Sequence, residues 1–309
     1  MDILFHLSFL LSVLTHFVIG VHFGHRETKC HIDGSAIVEA SGLAISRVHL
    51  NVAYTHNDKG GSAEIFAVDL SNGKTVATLN IKSAINWDWE DLAYGPCIDD
   101  CTSGHVCSAA LEPSRFCLYI ADIGDHGGDG AANHIYVIRE PATLGNKDVD
   151  LVGQLKFTWT EQDAETLMIS PDARLFIVSK VNGGHAKIAQ IPSSAWNSNN
   201  VARLDMSHTA TLRISTSSND PQGGDISPDG MSMLLVGEHD IYFYSVTDGD
   251  YIKAIRDQVP KKVDTYNRVP STEGIAWAPN QRSFYIIPDG NHPSIYSYPV
   301  DLTVDEVFG

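Results

Sequence analysis

AETLMISPDARLFIVSKVNGGH (164–185) reads as a short apolar strand with an acidic residue near its start, a tight Ser-Pro-Asp turn, and a second β-rich strand that ends in a polar loop. The phrase returns four more times: SGLAISRVHLNVAYTHND (41–58), WEDLAYGP followed after an insert by FCLYIADIGDH (89–96 and 116–126), QGGDISPDGMSMLLVGEHD (222–240) and EGIAWAPNQRSFYIIPDGNH (273–292). Further strand-like runs fill the gaps between copies, among them EIFAVDL, TVATLNI, HIYVIRE, QLKFTWT, KIAQIP, ATLRIST, IYFYSV and SIYSYPV. A repeat of about four strands per unit predicts an all-β chain folded as a β-propeller of four-stranded blades. Five blades are countable, and a sixth fits if residues 245–270 hide a degenerate copy. The last copy lacks a fourth strand, and CHIDGSAIVEA has no other home, so an N-terminal strand is expected to close the ring.

The chain has 309 residues, 43% of them hydrophobic, enough to bury a large core. Residues 3–19 form an apolar run ending at Gly20, read as a signal peptide over 1–20, with a single propeller domain over 21–309. An uncleaved membrane anchor is the rival, although the run is short for a bilayer span. The expected location is secreted, in an oxidising compartment. There, Cys30, Cys97, Cys101, Cys107 and Cys117 are disulfide candidates, four of them in or beside a Cys-rich insert at 97–117. A zinc knuckle from Cys97, Cys101, His105 and Cys107 is the alternative. The net charge of −17 excludes nucleic acid and anionic membrane as partners, because phosphate surfaces are repelled. It suits a cation, or a small-molecule, carbohydrate or mineral ligand carried with one.

Alignment on the first turn puts Ser41, Glu90, Glu165, Gln222 and Glu273 in one column at the head of each innermost strand, near the propeller axis. Three carboxylates and an amide converging on one channel mouth need an offsetting charge. Ca²⁺ is the natural occupant, because it takes many oxygen ligands in loose geometry. Asp91 and Asp225 are expected to add oxygens to this metal set. The competing reading is architectural: each carboxylate accepts hydrogen bonds from the neighbouring blade and locks the ring. A second column, His56, His126, His185, His239 and His292, falls just after each second strand, on the same face. His56 and Asp58, in THND, are the candidate catalytic pair for activating water. In WDWED (87–91), alternation sets Trp87 and Trp89 on the side of Asp91, either packed between blades or forming a stacking platform for a ring. No Gly-X-Ser-X-Gly, Walker, Rossmann or HEXXH pattern occurs.

THND, DWED, ADIGD, DAETL, ISPDG and EGIAW together resemble a family of secreted, mostly bacterial propellers grouped with TolB-like six-bladed propellers. The resemblance runs from about Ser41 to Val300 and implies the propeller fold. More distantly, Glu90 and Asp91 are similar to calcium-coordinating pairs of paraoxonase and gluconolactonase-like propellers, with Asp225 and Glu273 as looser matches. The acidic mouth is similar to that of phytase-like propellers. The Asn ligands of the lactonases are absent where this chain has Glu165 and Gln222, and so is a basic patch for phosphate. Two functions follow: an extracellular binding or matrix protein with a calcium-binding mouth, or a calcium-dependent hydrolase of an ester, lactone or phosphoester.

Overall fold

The computed structural model describes residues 16–98, 115–124, 133–192, 196, 201–204 and 206–307. Cys101, Cys107, His105 and His126 lie outside the described residues, as does most of the Cys-rich insert.

Two N-terminal strands, β1 (His16–Phe23) and β2 (Glu27–His31), precede the first repeat. Blade 1 is an antiparallel meander of β3 (Ala40–Ile45), β4 (Val52–Asn57), β5 (Glu64–Asp69) and β6 (Thr75–Ile81). Blade 2 begins with β7 (Trp89–Pro96), β8 (Phe116–Asp122) and β9 (Asn133–Arg139). The chain then lays β10 (Lys147–Val149) parallel on β6 before finishing blade 2 with β11 (Gly153–Thr158). Blade 3 takes β12 (Ala164–Ile169) and β13 (Leu175–Ser179); β14 (Val181–Gly184) turns away, and β15 (Lys187–Ile191) continues the blade. A short β16 (Ala202–Arg203) runs parallel on β11, β17 (Thr209–Thr211) completes blade 3, and β18 (Thr216–Asp220) pairs with β14 in a separate ribbon. Blade 4 holds β19 (Gly223–Ile226), β20 (Ser232–Val236), β21 (Ile241–Ser245) and, after helix α1 (Tyr251–Asp257), β22 (Lys261–Lys262). Blade 5 is β23 (Thr272–Trp277), β24 (Ser283–Pro288) and β25 (Ser294–Val307).

The ring closes as the sequence predicts. β2 pairs with the first part of β25 and β1 with the rest, so N-terminal strands complete the last blade. The closing strand is ETKCH, which overlaps the expected segment only at Cys30 and His31. The innermost strands β3, β7, β12, β19 and β23 contact one another in that order, and β23 returns to β3. The propeller therefore has five blades. Residues 245–270 contain α1 and the outer strand of blade 4 rather than a sixth copy. Asp250 caps α1 by accepting from the Lys253 N–H at 2.8 Å.

Burial along each blade explains why the repeat is legible. Innermost strands are covered on both faces by neighbouring blades, so Ala40–Ile45 and Ala164–Ile169 are buried throughout. Outer strands such as Gly153–Thr158 alternate buried and solvated positions. The apolar core is accordingly split into five clusters, one per interface. Tyr54, Ile65, Trp89 and Leu92 join blades 1 and 2, whereas Phe66, Ile287, Ile295 and the free Cys30 join blades 5 and 1. The recurring turn has a local cause. In both Ser-Pro-Asp copies the serine hydroxyl donates to the aspartate, Ser170 to Asp172 at 2.5 Å and Ser227 to Asp229 at 2.6 Å. The residue that follows is left-handed, Ala173 at φ 61° and Gly230 at φ 75°.

Each inner strand starts at one face of the ring and ends at the other, which places the insert after β7 opposite the mouth. Its base is stapled by a Cys97–Cys117 disulfide spanning 20 residues of sequence. Cys97 is thus bonded to sulfur rather than held in a zinc knuckle. Strand β1 takes in residues 16–20, where the sequence suggests the end of a leader. Among the described residues, no helix is long and apolar enough to cross a membrane.

Candidate functional site

The glutamate column is set by backbone irregularity. β7, β12 and β23 each carry a register shift at their second residue, so Glu90, Glu165 and Glu273 occupy bulges where the chain turns the side chain out of the pleat. All three sit at the mouth face. So do the loops that enter the inner strands, bringing Asp88 and Asp163, and the loops that follow the second strands, bringing Asp58, Lys59, Lys180 and Asp289.

Two groups of three carboxylates form there. Oxygens of Asp58, Asp88 and Glu90 lie within 4.8 Å of one another, and so do oxygens of Glu90, Asp163 and Glu165. Glu90 belongs to both. It is buried, and among the described residues no hydrogen-bond donor reaches its carboxylate. Gly124 makes the approach feasible: a methyl at its Cβ position would stand 2.1 Å from Glu90 Oε1 and 2.7 Å from Asp88 Oδ2. Two ammonium groups enter the cluster from its edges. Lys59 Nζ pairs with Asp88 Oδ2 at 3.0 Å, and Lys180 Nζ pairs with Glu165 Oε1.

Electrostatics follow from burial and crowding. Burial, and then the charges of Glu165, Asp58 and Asp88, hold the Glu90 carboxyl well above the usual carboxylate range. Burial pushes Glu165 up to about 7 although Lys180 pulls it down. Glu273 is pushed up to about 8 by burial, then by Glu165 and Asp289. Asp58 is raised too, mainly by burial, and its Oδ1 is enclosed with no partner. Burial would lower the Lys180 ammonium, but Glu165, Glu90 and Asp163 raise it overall. The carboxyls of the mouth therefore hold their protons to higher pH than ordinary carboxylates do.

The remaining predicted ligands serve the ring. Asp91 is buried and accepts from the Leu92 N–H and, across the blade interface, from the Leu167 N–H, both at 2.8 Å. Asp225 accepts from the Trp277 N–H of blade 5 at 2.7 Å, and the Ser41 hydroxyl donates to the Glu90 carbonyl of blade 2 at 2.6 Å. The bonds from Leu167, from Trp277 and to the Glu90 carbonyl each tie one inner strand to the next. Ser41, Asp91 and Asp225 thus make the inter-blade bonds that the architectural reading expects, whereas among the described residues no backbone N–H of a neighbouring blade is seen to bond the Glu90, Glu165 or Glu273 carboxylate. Gln222 stands just before β19, with an enclosed Oε1 that has no partner.

The histidine column does not converge. His56 is completely buried below the mouth, with Nδ1 donating to the Asn57 carbonyl at 3.0 Å and its ring edge-on to Trp89 at 5.6 Å. Burial lowers its pKa to about 4, so it is neutral at pH 7. It is sealed from any substrate in the mouth, and of the expected catalytic pair only Asp58 reaches the acidic cluster. His185, His239 and His292 are exposed, each bonded within its own surroundings, to the Leu212 and Ile214 carbonyls, Ser218 Oγ and the Ile32 carbonyl. The two tryptophans also part company. Trp89 is buried between blades and donates through Nε1 to the Ile85 carbonyl, whereas Trp87 is exposed on the rim.

Sequence reasoning missed Asp88, Asp163, Lys59 and Lys180 as members of the mouth. Their one sequence signal was position: each falls in a loop that the repeat assigns to that face. Another buried carboxylate, Glu140, has no signal in the sequence because it lies outside the repeat phrase. It accepts from Ser46 Oγ at 2.6 Å, Tyr54 OH at 2.9 Å and Tyr94 OH, binding blades 1 and 2 on the side away from the mouth.

No family model matches the chain, and no curated protein matches it. Among solved structures, it is similar to the PQQ-bound aldose sugar dehydrogenase of Streptomyces coelicolor, at 11% identity and a TM-score of 0.49, over 92% of this chain and 99% of that one. It is also similar to the hydrazine synthase of Kuenenia stuttgartiensis, at 11% identity and a TM-score of 0.38, over 83% and 68% of the two chains. Likeness at this level says nothing of the site, and the propeller assignment stands on the sheet topology.

Proposed function

We propose that this protein is a secreted, non-catalytic binding protein whose channel mouth holds a divalent cation of the calcium class, through which a small-molecule, carbohydrate or mineral ligand is engaged. The carrying observation is the Glu90 carboxylate, which is buried, reached by no donor among the described residues, and ringed by Asp58, Asp88, Asp163 and Glu165. A bare carboxylate in such a place costs several kcal/mol of lost hydration unless a cation or proton offsets it. Hard oxygen ligands in loose geometry favour calcium over softer metals. Binding is preferred to hydrolysis because His56, the expected imidazole of the catalytic pair, is completely buried beneath the mouth and does not reach the acidic cluster. Secretion is supported by the apolar opening segment and by the Cys97–Cys117 disulfide. On this reading the chain is a five-bladed relative of the TolB-like propellers its motifs resemble.

The test is bound metal by mass spectrometry, with melting temperature before and after chelation and calcium return. At a hundredfold excess over Kd, calcium adds about 2.7 kcal/mol. For a chain of this size that is a rise of about 5 °C. Absence of both metal and shift would remove the reading. Turnover of an ester, lactone or phosphoester that is abolished in Asp58→Asn would replace it with the hydrolase.

A further inference from the structure

The acidic mouth is double. Its two groups of carboxylates share one member, Glu90: Asp58, just after β4, and Asp88, just before β7, complete one, and Asp163 and Glu165, at the head of β12, complete the other. Calcium ligands stand about 2.3–2.6 Å from the ion, so a single ion spans oxygen pairs up to about 5 Å apart, and each group fits that limit by itself. Among the described residues an ammonium group pairs with a carboxylate in each half, Lys59 with Asp88 and Lys180 with Glu165, and neither bonds to Glu90. Among the described residues no donor reaches the carboxylate at the centre, and it has two oxygens to give. Gly124 keeps the space beside it clear.

We infer that the mouth is a two-cation centre in which Glu90 bridges two hard divalent ions, one held with Asp58 and Asp88 and the other with Asp163 and Glu165. The inference rests on the cation-binding reading above and deepens it. The two halves are not equivalent. The Lys59 side chain is 63% exposed and is readily displaced, so the first half loads by simple exchange of one cation for another. The Lys180 side chain is only 19% exposed and stays on Glu165 Oε1, leaving Oε2, which no described donor occupies, to the second ion. The first half is therefore the tighter site and the second the weaker. Two ions bridged by one carboxylate sit about 3.5–4 Å apart, close enough for their electrons to couple when the ions are magnetic.

The full mature chain, freed of metal, is titrated with CaCl₂ by calorimetry and with MnCl₂ under electron paramagnetic resonance. The expected result is two equivalents per chain, with tight and weak steps. The isolated six-line manganese spectrum should appear at one equivalent and collapse into an exchange-coupled spectrum at two. Asp163→Asn should lose the weak step and keep the tight one, Asp88→Asn should lose the tight step, and Lys59→Met should tighten the first step several-fold. One equivalent only, with Asp163→Asn unchanged, overturns the two-cation centre and leaves the single-cation reading standing. Two equivalents without coupling overturn the Glu90 bridge, and no binding overturns both readings. The wild-type stoichiometry and spectrum decide the matter even if a variant fails to fold.

Discussion

Replacing Asp91 by alanine separates ring architecture from cation binding. The carboxylate is adjacent in sequence to Glu90, is buried, and serves two backbone N–H groups, Leu92 at 2.8 Å within its strand and Leu167 at 2.8 Å in the next blade. In Asp91→Ala both donors are left unmade in a space water does not enter, at about 1–3 kcal/mol each. Part of this is returned, because burial already holds the Asp91 carboxyl well above its usual range and a buried anion is relieved when it goes. The net loss is about 2–4 kcal/mol, or a fall in Tm of about 3–6 °C for a chain of this size. Asp91→Asn keeps one acceptor and loses roughly half as much. The assay is thermal melting of both variants in chelator and in calcium. The calcium-dependent rise in Tm should match that of the parent protein, since no oxygen of Asp91 faces the cation site. Glu90→Gln should do the reverse, abolishing the rise while leaving the metal-free protein as stable or more so. The reasoning is refuted if Asp91→Ala melts within about 1 °C of the parent, or if it loses the calcium increment.

Metal-free protein should gain stability as pH falls from 8 towards 5. The folded-state carboxyls of Glu273, at about 8, and of Asp225 and Glu165, at about 7, titrate above their unfolded values, so folding takes up protons in this window and stability declines as pH rises through it. Urea titrations at pH 5.5 and 8 in chelator measure this, and a flat or opposite trend contradicts it. Gly124→Ala should weaken calcium affinity at least tenfold, since the new methyl would lie 2.1 Å from Glu90 Oε1; an unchanged calorimetric Kd would show that Glu90 does not bind from this position. Reducing the Cys97–Cys117 bridge frees a loop spanning 20 residues of sequence and should cost about 3 kcal/mol, read as a drop in Tm in dithiothreitol, with the calcium increment retained because the bridge lies on the face opposite the mouth.

The strands were legible because the propeller buries inner strands on both faces and outer strands on one, so TVATLNI and EIFAVDL read almost as they fold, β6 over Thr75–Ile81 and β5 over Glu64–Asp69. ATLRIST did not: the chain leaves blade 3 after Thr211 and re-forms a ribbon from Thr216, and no local pattern marks the change of partner. The blade count needed tertiary information as well, since Tyr251–Asp257 is a helix whose buried Tyr251 and Ile255 pack against blades 3 and 4. At the site, the column of Glu90, Glu165 and Glu273 could be read because the bulge recurs at one place in the phrase. The functions of Asp91 and Asp225 could not, because a pleat sends neighbouring side chains to different surroundings and only the partner blade shows which backbone N–H groups await them. His56 misled for a related reason. It lies within β4 rather than in the loop that follows, and Gly42, at φ 68°, lets the imidazole slide under β3, with Nε2 only 2.7 Å from where a Cβ at that position would stand.

The distribution of charge argues that the mouth is kept for use. Three inter-blade bonds, from Ser41, Asp91 and Asp225, are enough to show how this ring uses polar groups when the purpose is to hold blades together: each meets a backbone partner at 2.6–2.8 Å. Glu90, Glu165 and Glu273 have the same opportunity at the heads of their strands and do not take it. Their bulges instead turn them toward Asp58, Asp88, Asp163 and Asp289, and among the described residues the ammonium groups seen to pair with these carboxylates are Lys59, on Asp88, and Lys180, on Glu165. Such crowding destabilises the empty fold at neutral pH, by the same linkage that predicts its gain in stability on acidification. A ring that needed only architecture would be more stable with amides or apolar groups in these places. On the reading proposed above, what the carboxylates add is affinity for a cation, and Trp87, exposed on the rim, is the apolar surface a cation-held ligand would lie against.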